Sequence, residues 1–148
     1  MSAPRRVWVL NGPNLGRLGR RQPEIYGSTT HAELAHQCVT WGSTYGLDVE
    51  VRQTNHEGTL IDWLNEAADE RIAIVLNAGA WTHYSLALYD ACAQLEAPLV
   101  EVHISDPKQR PEVFRHTSYV EPHAVATVAG LGVAGYRRAL ELLREHLD

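Results

Sequence analysis

Short apolar runs that alternate with helical patterns constrain this chain more than any other feature. The third run is apolar almost throughout, as expected for a strand that is covered on both faces. Strands and helices that alternate at this spacing form right-handed βαβ units. The sequence therefore predicts a flavodoxin-like, doubly wound α/β fold with a five-stranded parallel sheet and helices on both faces. The predicted strands are Val7–Asn11, Asp48–Gln53, Ile72–Asn77, Leu99–Ile104 and a stretch near Ala124–Ala129.

Four amphipathic patterns predict the helices between and after these strands. The first begins at Thr30-His31-Ala32-Glu33, which fits a capping box, and Gly46 is a plausible stop. The third is expected from about Tyr84 to Gln94. The other apolar positions recur at helical spacing: Leu34, Cys38, Trp41 and Tyr45; Leu60, Ile61, Leu64, Ala67 and Ala68; Val133, Tyr136, Leu140, Leu143 and Leu147.

Length and charge limit the classes of protein that this chain can belong to. Its 148 residues are enough for one domain with a real core, and we expect residues 1–148 to form a single catalytic domain. A net charge of -5 argues against nucleic-acid binding. Cys38 and Cys92 lie in apolar helical patterns and are interpreted as buried thiols in a reducing compartment. No signal peptide or membrane span is visible, so we expect a cytoplasmic protein.

Polar segments follow three of the predicted strands, and they predict one site. In doubly wound folds the ligand crevice lies beyond the carboxyl ends of the strands. Segments 11–26, 77–83 and 103–105 all fall at such ends, although they are far apart in the chain. We therefore expect their side chains to meet in one crevice.

Residues 16–28 are rich in glycine and carry the candidate base. Arg17, Arg20 and Arg21 precede Tyr26 in this segment. A guanidinium near a phenol stabilises the phenolate. The pattern favours a lid over an anionic substrate, with Tyr26 as general base. The alternative is a tyrosine that only packs on the surface.

Glu101 and His103 lie on the same face of the fourth strand, because strand residues alternate between faces. A carboxylate beside an imidazole orients the ring and favours its charged form. This arrangement suits a general acid. The alternative is a structural histidine whose hydrogen bonds are satisfied in the core.

Further polar groups in the same segments are candidates for substrate binding. Asn77 and His83 can hydrogen-bond hydroxyl groups, and the backbone amides of Ile104 and Ser105 can hold a carboxylate. Asp90 lies about 10 Å along the helix from His83, too far for direct contact. It is therefore either a surface charge or a group offered to another subunit.

Arg110 and Arg115 follow in a polar segment whose prolines leave room only for a short helix. Each of these arginines can be only a surface charge. The alternative is that one of them completes an anion clamp. The sequence leaves the choice between the two arginines open.

Motifs of several other functional classes are missing from the sequence. It has no phosphate loop, intact dinucleotide fingerprint, zinc motif or nucleophile elbow, so we expect neither a metal nor a cofactor. Lys108 is the only lysine, which argues against imine catalysis. Two alternatives stay open on fold alone: a flavin- or nucleotide-binding flavodoxin-like module, and a phosphoacceptor domain. The second would need acidic side chains where this chain has Asn11 and Asn77.

The combination of motifs closely resembles type II 3-dehydroquinate dehydratase, an enzyme of the shikimate pathway, over nearly the whole chain. The motifs that carry the resemblance are Leu-Asn-Gly-Pro-Asn-Leu at 10–15, Pro-Glu-Ile-Tyr-Gly at 23–27, Gln53 with Asn55-His56-Glu57-Gly58, Leu76-Asn77-Ala78-Gly79, Thr82-His83, Asp90-Ala91, Glu101-Val102-His103-Ile104-Ser105 and Gly-Leu-Gly at 130–132.

The resemblance implies a cofactor-free, reversible dehydration of 3-dehydroquinate to 3-dehydroshikimate through an enolate. By analogy Tyr26 removes the proton next to the ketone, and Arg21 activates Tyr26 and stabilises the transition state. Asn14 stabilises the enolate through water. His103 protonates the leaving hydroxyl with support from Glu101.

The resemblance also implies substrate-binding positions and an assembly. Similar enzymes form dodecamers built from trimers, which implies that Asp90 reaches a neighbouring subunit's site. The implied binding residues are Asn77, His83, Asp90, Ile104, Ser105 and Arg115.

Four features depart from the pattern of that family. Gln22 replaces a common glutamate, Gly16 replaces a frequent asparagine, and Ala80-Trp81 is an unusual turn. The spacing from Arg110 to Arg115 is one residue longer than usual, which keeps Arg110 as a rival for the clamp.

Overall fold

The computed structural model of the protein describes residues 4–147, so the predicted limits at residues 1 and 148 lie outside the described part. Five parallel strands form one sheet in the order β2-β1-β3-β4-β5. The chain starts near the centre, reaches one edge and returns across the sheet, which confirms the predicted doubly wound topology. The strands are β1 (Arg5–Asn11), β2 (Leu47–Gln53), β3 (Ala73–Asn77), β4 (Leu99–His103) and β5 (Ala126–Ala129).

Helices cover both faces of this sheet, as predicted. They are α1 (Pro23–Tyr26), α2 (His31–Thr44), α3 (Glu57–Glu70), α4 (Leu86–Ala93) and α5 (Ala134–His146). Helices α2 and α5 share one apolar cluster with Val7 and Val9, whereas α3 and α4 share the other with Trp8 and Leu10. Alternate residues of β1 therefore point to opposite cores. No helix within residues 4–147 is both long and apolar enough to cross a membrane.

The predicted capping box is present at the start of α2, just after the predicted lid at residues 16–28. Thr30 Oγ1 accepts a hydrogen bond from the Glu33 amide at 3.1 Å, and the Thr30 amide donates to Glu33 Oε1 at 3.0 Å. Gly46 has φ 71°, a left-handed conformation that glycine adopts without steric cost, and it turns the chain from α2 into β2.

The prediction for the third helix is wrong at its beginning. Residues 79–83 form a 3-10 turn, and α4 begins only at Leu86. Ser85 caps α4 because its Oγ accepts a hydrogen bond from the Leu88 amide at 2.9 Å. Tyr84 therefore lies before the helix, where it is exposed.

The predicted strands differ from the observed ones by one or two residues at their ends. Strand β1 begins at Arg5 rather than Val7 because Arg5 and Arg6 pair with the start of β2. Strand β5 begins at Ala126 because the Ala124 amide closes a preceding turn on Glu121 O, 3.1 Å away. Such differences are expected because strand ends depend on pairing with neighbours.

Both cysteines are buried, as predicted, and neither forms a disulfide. Burial raises the pKa of the Cys38 and Cys92 thiols to about 12. The two side chains belong to opposite cores and act there as small apolar groups.

Candidate active site

A cleft lies at the carboxyl edge of the sheet. It brings together the three polar segments that follow β1, β3 and β4, as the sequence predicts. Its lining includes the predicted residues Asn14, Arg21, Tyr26, Asn77, His83, His103, Ile104, Ser105 and Arg115, together with Arg110.

Two predicted residues do not line this cleft. Glu101 is buried behind His103 and reaches the adjoining cleft instead. Asp90 is exposed on α4 and lines neither cleft, in keeping with its predicted distance from His83.

The hydroxyl of Tyr26 is held by an arginine that is distant in sequence. Arg110 Nη1 donates a hydrogen bond to Tyr26 Oη at 2.7 Å. The guanidinium carbon of Arg21 lies 4.8 Å from the centre of the same ring. The sequence motif paired Tyr26 with Arg21, whereas the hydrogen bond comes from Arg110 across 84 residues. Two guanidinium groups therefore lie beside the phenol, Arg110 at its hydroxyl and Arg21 over its ring.

The tyrosine stands on a short helix that sequence patterns did not reveal. Helix α1 has four residues and begins with Pro23, whose fixed φ suits the first helical position. Gln22, one of the departures from the family, precedes it with a left-handed φ of 39°. The ring of Tyr26 also packs against the core cluster that contains Leu15 and Leu18.

Glu101 and His103 form the predicted pair. Glu101 Oε2 lies 2.5 Å from His103 Nε2 and accepts a hydrogen bond from Ser118 Oγ at 2.8 Å, and Oε1 accepts from Thr127 Oγ1 at 3.3 Å. Burial alone would raise the pKa of Glu101, but these bonds and the charge of His103 lower it below its ordinary value. An ionised Glu101 holds a proton on His103 Nε2, which leaves Nδ1 as the other nitrogen available for chemistry.

His83 stacks near His103 and is oriented by the backbone. The two ring centres are 6.4 Å apart and nearly parallel. His83 Nδ1 donates to the carbonyl oxygen of Thr117 at 2.8 Å. Burial lowers the pKa of His83, and the charges of His103 and Arg115 act in the same direction. The neutral ring therefore presents Nε2 as a hydrogen-bond acceptor.

Asn14 occupies a strained turn between β1 and the lid. Its φ of 70° is left-handed, a conformation that asparagine tolerates better than most residues. The backbone amide of Asn14 donates to Asn55 Oδ1 at 2.9 Å. Gln53 Nε2 donates to the same Oδ1 and to the backbone oxygen of Gly12, each at 3.1 Å. The motif around Asn55 therefore supports the loop that carries Asn14 in the cleft.

Glu112 joins the two rival arginines. Its carboxylate lies 3.3 Å from Arg115 Nε and 3.9 Å from Arg110 Nη2. A hydrogen bond with its own backbone amide lowers the pKa of Glu112, and the two guanidinium charges add to the effect. Both arginines line the cleft, but only Arg110 contacts Tyr26. The two arginines therefore differ in position, because Arg110 alone of the two hydrogen-bonds the Tyr26 hydroxyl.

The remaining departures have local explanations. Trp81 is buried in the apolar core under α3 and α4, while Ala80 lines the cleft. A Cβ placed on Gly16 would lie 2.9 Å from Gln53 Oε1, so the loop passes close to that side chain.

Tyr136 is a site-related residue that the sequence did not reveal. Tyr136 is predicted as part of an apolar stripe, yet its hydroxyl hydrogen-bonds Asn11 and Asn77. A buried tyrosine usually has a partner for its hydroxyl, and this is the one signal that could have marked it.

A parallel α/β sheet with a phenol and a carboxylate-backed imidazole in one cleft at its carboxyl edge defines an enzyme of the flavodoxin-like fold class. A sequence model described as dehydroquinase class II matches residues 5–144. The chain belongs to this family.

Named relatives and solved structures cover almost all of the chain. The 3-dehydroquinate dehydratase of Salinispora arenicola is 60% identical over 135 residues, covering 91% of this chain and 94% of that protein. The 3-dehydroquinate dehydratase 2 of Pseudomonas aeruginosa is 50% identical and covers 97% of each. The crystal structure of type II dehydroquinase from Propionibacterium acnes has a TM-score of 0.93 at 51% identity and covers 98% of this chain and 99% of that one.

Proposed function

We propose that this cleft converts 3-dehydroquinate into 3-dehydroshikimate with Tyr26 as base and His103 as acid. The chain, as a class II dehydroquinase, catalyses this reversible step of the shikimate pathway. The observation that carries the assignment of roles is the Tyr26–Arg110 hydrogen bond in a cleft that also contains His103. A flavin-binding function on the same fold is not favoured, because the family match spans residues 5–144.

In the first step the Tyr26 phenolate removes the proton next to the ketone. The electron pair of the broken C–H bond moves into the carbonyl group and produces an enolate. Arg110 and Arg21 stabilise the phenolate before the step, and Arg21 also stabilises the transition state. Asn14 stabilises the enolate oxygen through a water molecule.

In the second step the enolate returns its electron pair and the carbon–oxygen bond breaks. His103 gives a proton to the departing hydroxyl, which leaves as water, and Glu101 stabilises the charged ring before the transfer. Tyr26 then releases its proton to solvent and His103 takes one proton up from solvent, which restores both groups. In the reverse direction His103 acts as the base and Tyr26 as the acid.

The remaining residues of the cleft bind the substrate. Asn77 and His83 hydrogen-bond its hydroxyl groups, and the neutral Nε2 of His83 supports an acceptor role. The backbone of Ile104 and Ser105 holds the carboxylate, and Arg115 contributes charge to the clamp.

We further propose that residues 1–148 act as one catalytic domain, with residues 16–28 as a lid, in a cytoplasmic homo-oligomer. A dodecamer with Asp90 in a neighbouring subunit's site is the expected form. Leu86 and Tyr89 support an interface here, because they expose apolar surface on the same short helix as Asp90. Light scattering on the purified protein tests the subunit number.

The decisive experiment mixes purified protein with 3-dehydroquinate and no added metal or nucleotide. We expect a conjugated enone to accumulate, measured by its ultraviolet absorbance. Activity should also survive borohydride treatment in the presence of substrate, since no imine forms. A well-folded protein that produces no absorbance would refute the proposed function.

A further inference from the structure

A continuous chain of hydrogen bonds leads from His31, just after the lid, to Asn77 in the cleft. Asn11 Nδ2 lies 3.1 Å from His31 Nε2. Tyr136 Oη lies 2.6 Å from Asn11 Oδ1 and 3.0 Å from Asn77 Nδ2. Asn77 Oδ1 in turn lies 3.2 Å from the backbone nitrogen of Gly79. The chain therefore ends at a backbone amide.

That amide determines the direction of every bond in the chain. A backbone N–H can only donate, so the Asn77 atom that faces Gly79 is its oxygen. Asn77 Nδ2 then donates to Tyr136 Oη, whose single hydrogen is left for Asn11 Oδ1. Asn11 Nδ2 consequently donates to His31 Nε2, which accepts.

Burial makes any other arrangement costly. Asn11 and Tyr136 are completely buried, and Asn77 is 4% exposed, so water cannot replace a lost partner at the first two. Burial raises the pKa of Tyr136, so its hydroxyl keeps its hydrogen. Burial also lowers the pKa of His31, which keeps Nε2 available as an acceptor. The protonation of Tyr136 and of His31 thus favours the same direction of these hydrogen bonds.

We propose that Tyr136 is a positioning residue, whose hydroxyl holds the Asn77 amide in the one orientation that binds substrate. One Nδ2 hydrogen and one Oδ1 lone pair of Asn77 remain for a ligand, at places that the chain determines. A substrate whose acceptor faces Asn77 Nδ2 and whose donor faces Asn77 Oδ1 is bound. A substrate with these two groups exchanged places its donor against Nδ2, so that two donors face each other. This inference rests on the proposed function, in which Asn77 binds substrate hydroxyls.

Tyr136→Phe removes the hydroxyl and keeps the buried ring. We expect KM for 3-dehydroquinate to rise about 5- to 10-fold while kcat changes less than about 2-fold, as for a lost ground-state binding interaction. Tyr45→Phe is the matched control. It removes a hydroxyl from a ring that packs on the same core but faces Glu141 and Arg137, and it should leave KM unchanged.

A double variant distinguishes positioning from a general loss of structure. If Tyr136 acts through Asn77, then Asn77→Ala with Tyr136→Phe should have the same KM as Asn77→Ala alone. If the KM increases of the two single variants instead multiply in the double variant, the proposal is overturned. So would an unchanged KM in folded Tyr136→Phe while the wild-type enzyme turns over. An inactive wild-type enzyme would instead refute the proposed function.

The far end of the chain offers a second test if Tyr136→Phe does not fold. His31→Leu removes the acceptor for Asn11, whereas His31→Gln can still accept through its amide oxygen. We expect KM to rise about 2- to 5-fold in His31→Leu and to stay close to the wild-type value in His31→Gln, because one hydrogen bond separates them. Equal KM values for the two variants would contradict the proposal.

Discussion

Tyr26 in the proposed lid and His103 at the end of β4, the two proposed proton-transfer groups, are held in different ways. None of the four residues of α1 is buried, and Tyr26 is held at its hydroxyl by Arg110 alone among the hydrogen bonds of the described residues. His103 is 8% exposed at the end of a strand whose five residues are all buried. The Glu101 carboxylate behind it is hydrogen-bonded by His103, Ser118 and Thr127.

This difference separates two requirements of the reaction. The proposed acid, His103, is preorganised, because its supporting hydrogen bonds lie inside the folded core. The proposed base, Tyr26, is carried by a glycine-rich segment, which we propose admits substrate and then excludes water. Buried Leu18 and the capping box at Thr30 attach the lid to the rest of the chain on either side of Tyr26. Loss of the Tyr26 hydroxyl should therefore affect catalysis alone, whereas changes behind His103 should affect catalysis and folding.

Tyr26→Phe should have the largest effect. The ring and its packing remain, but the base is lost, so we expect kcat to fall by about 10³- to 10⁴-fold. The melting temperature should stay within about 2 °C of wild type, since no buried group is removed. Initial rates of enone formation and a thermal melt measure the two quantities. A variant as fast as wild type would remove Tyr26 from the mechanism.

Glu101→Gln should have the next largest effect and should reduce both activity and stability. The neutral amide no longer stabilises a charged His103, so kcat should fall about 10²-fold. The amide also replaces a charged hydrogen bond to His103 with a weaker neutral one, which costs about 1–3 kcal/mol of folding free energy. The same melts and rates apply, with exposed Glu66→Gln as the control. If Glu101→Gln were as stable as wild type, the inferred difference between the surroundings of Tyr26 and those of His103 would be wrong.

Arg110→Gln tests which guanidinium group controls the phenol. A hydrogen bond to a charged group contributes about 1.5–3 kcal/mol, so kcat should fall about 10- to 100-fold. Arg21→Gln should cost less at the phenol, because Arg21 lies over the ring and makes no hydrogen bond to Oη among those observed. Steady-state rates of both variants decide the order. A larger loss in Arg21→Gln would return the principal role to Arg21.

The smallest expected effect concerns pH and stability. Burial lowers the pKa of His31 and His83 below 6.5, so the unfolded chain binds these protons at higher pH than the folded chain. Folding stability should therefore decrease as pH falls from 6.5 through the folded-state values. Melting temperatures of His31→Gln should depend less on pH than those of wild type over this range. Parallel curves would show that His31 does not contribute.

Several features followed from residues that are close together in the chain. The capping box at Thr30 depends on a three-residue spacing, and the Glu101–His103 pair depends on strand alternation. Strand β3 was predicted within one residue because a run covered on both faces is apolar throughout. The resemblance added Asn14 and singled out Arg21 among the three arginines of the segment, and both residues line the cleft. In each case the informative residues are neighbours or share a motif.

The tertiary structure alone decided which distant groups meet. The partner of Tyr26 is 84 residues away, and the hydroxyl of Tyr136 lies 125 residues from Asn11. Periodicity assigned Tyr136 to an apolar stripe. A hydropathy pattern indicates which face of a helix a residue occupies, but not which partner its hydroxyl group hydrogen-bonds. Local sequence thus determined the strands, the helices and the acid pair, since these depend on spacing along the backbone. The support of the base and the orientation of Asn77 depended on how the sheet brings separate loops together.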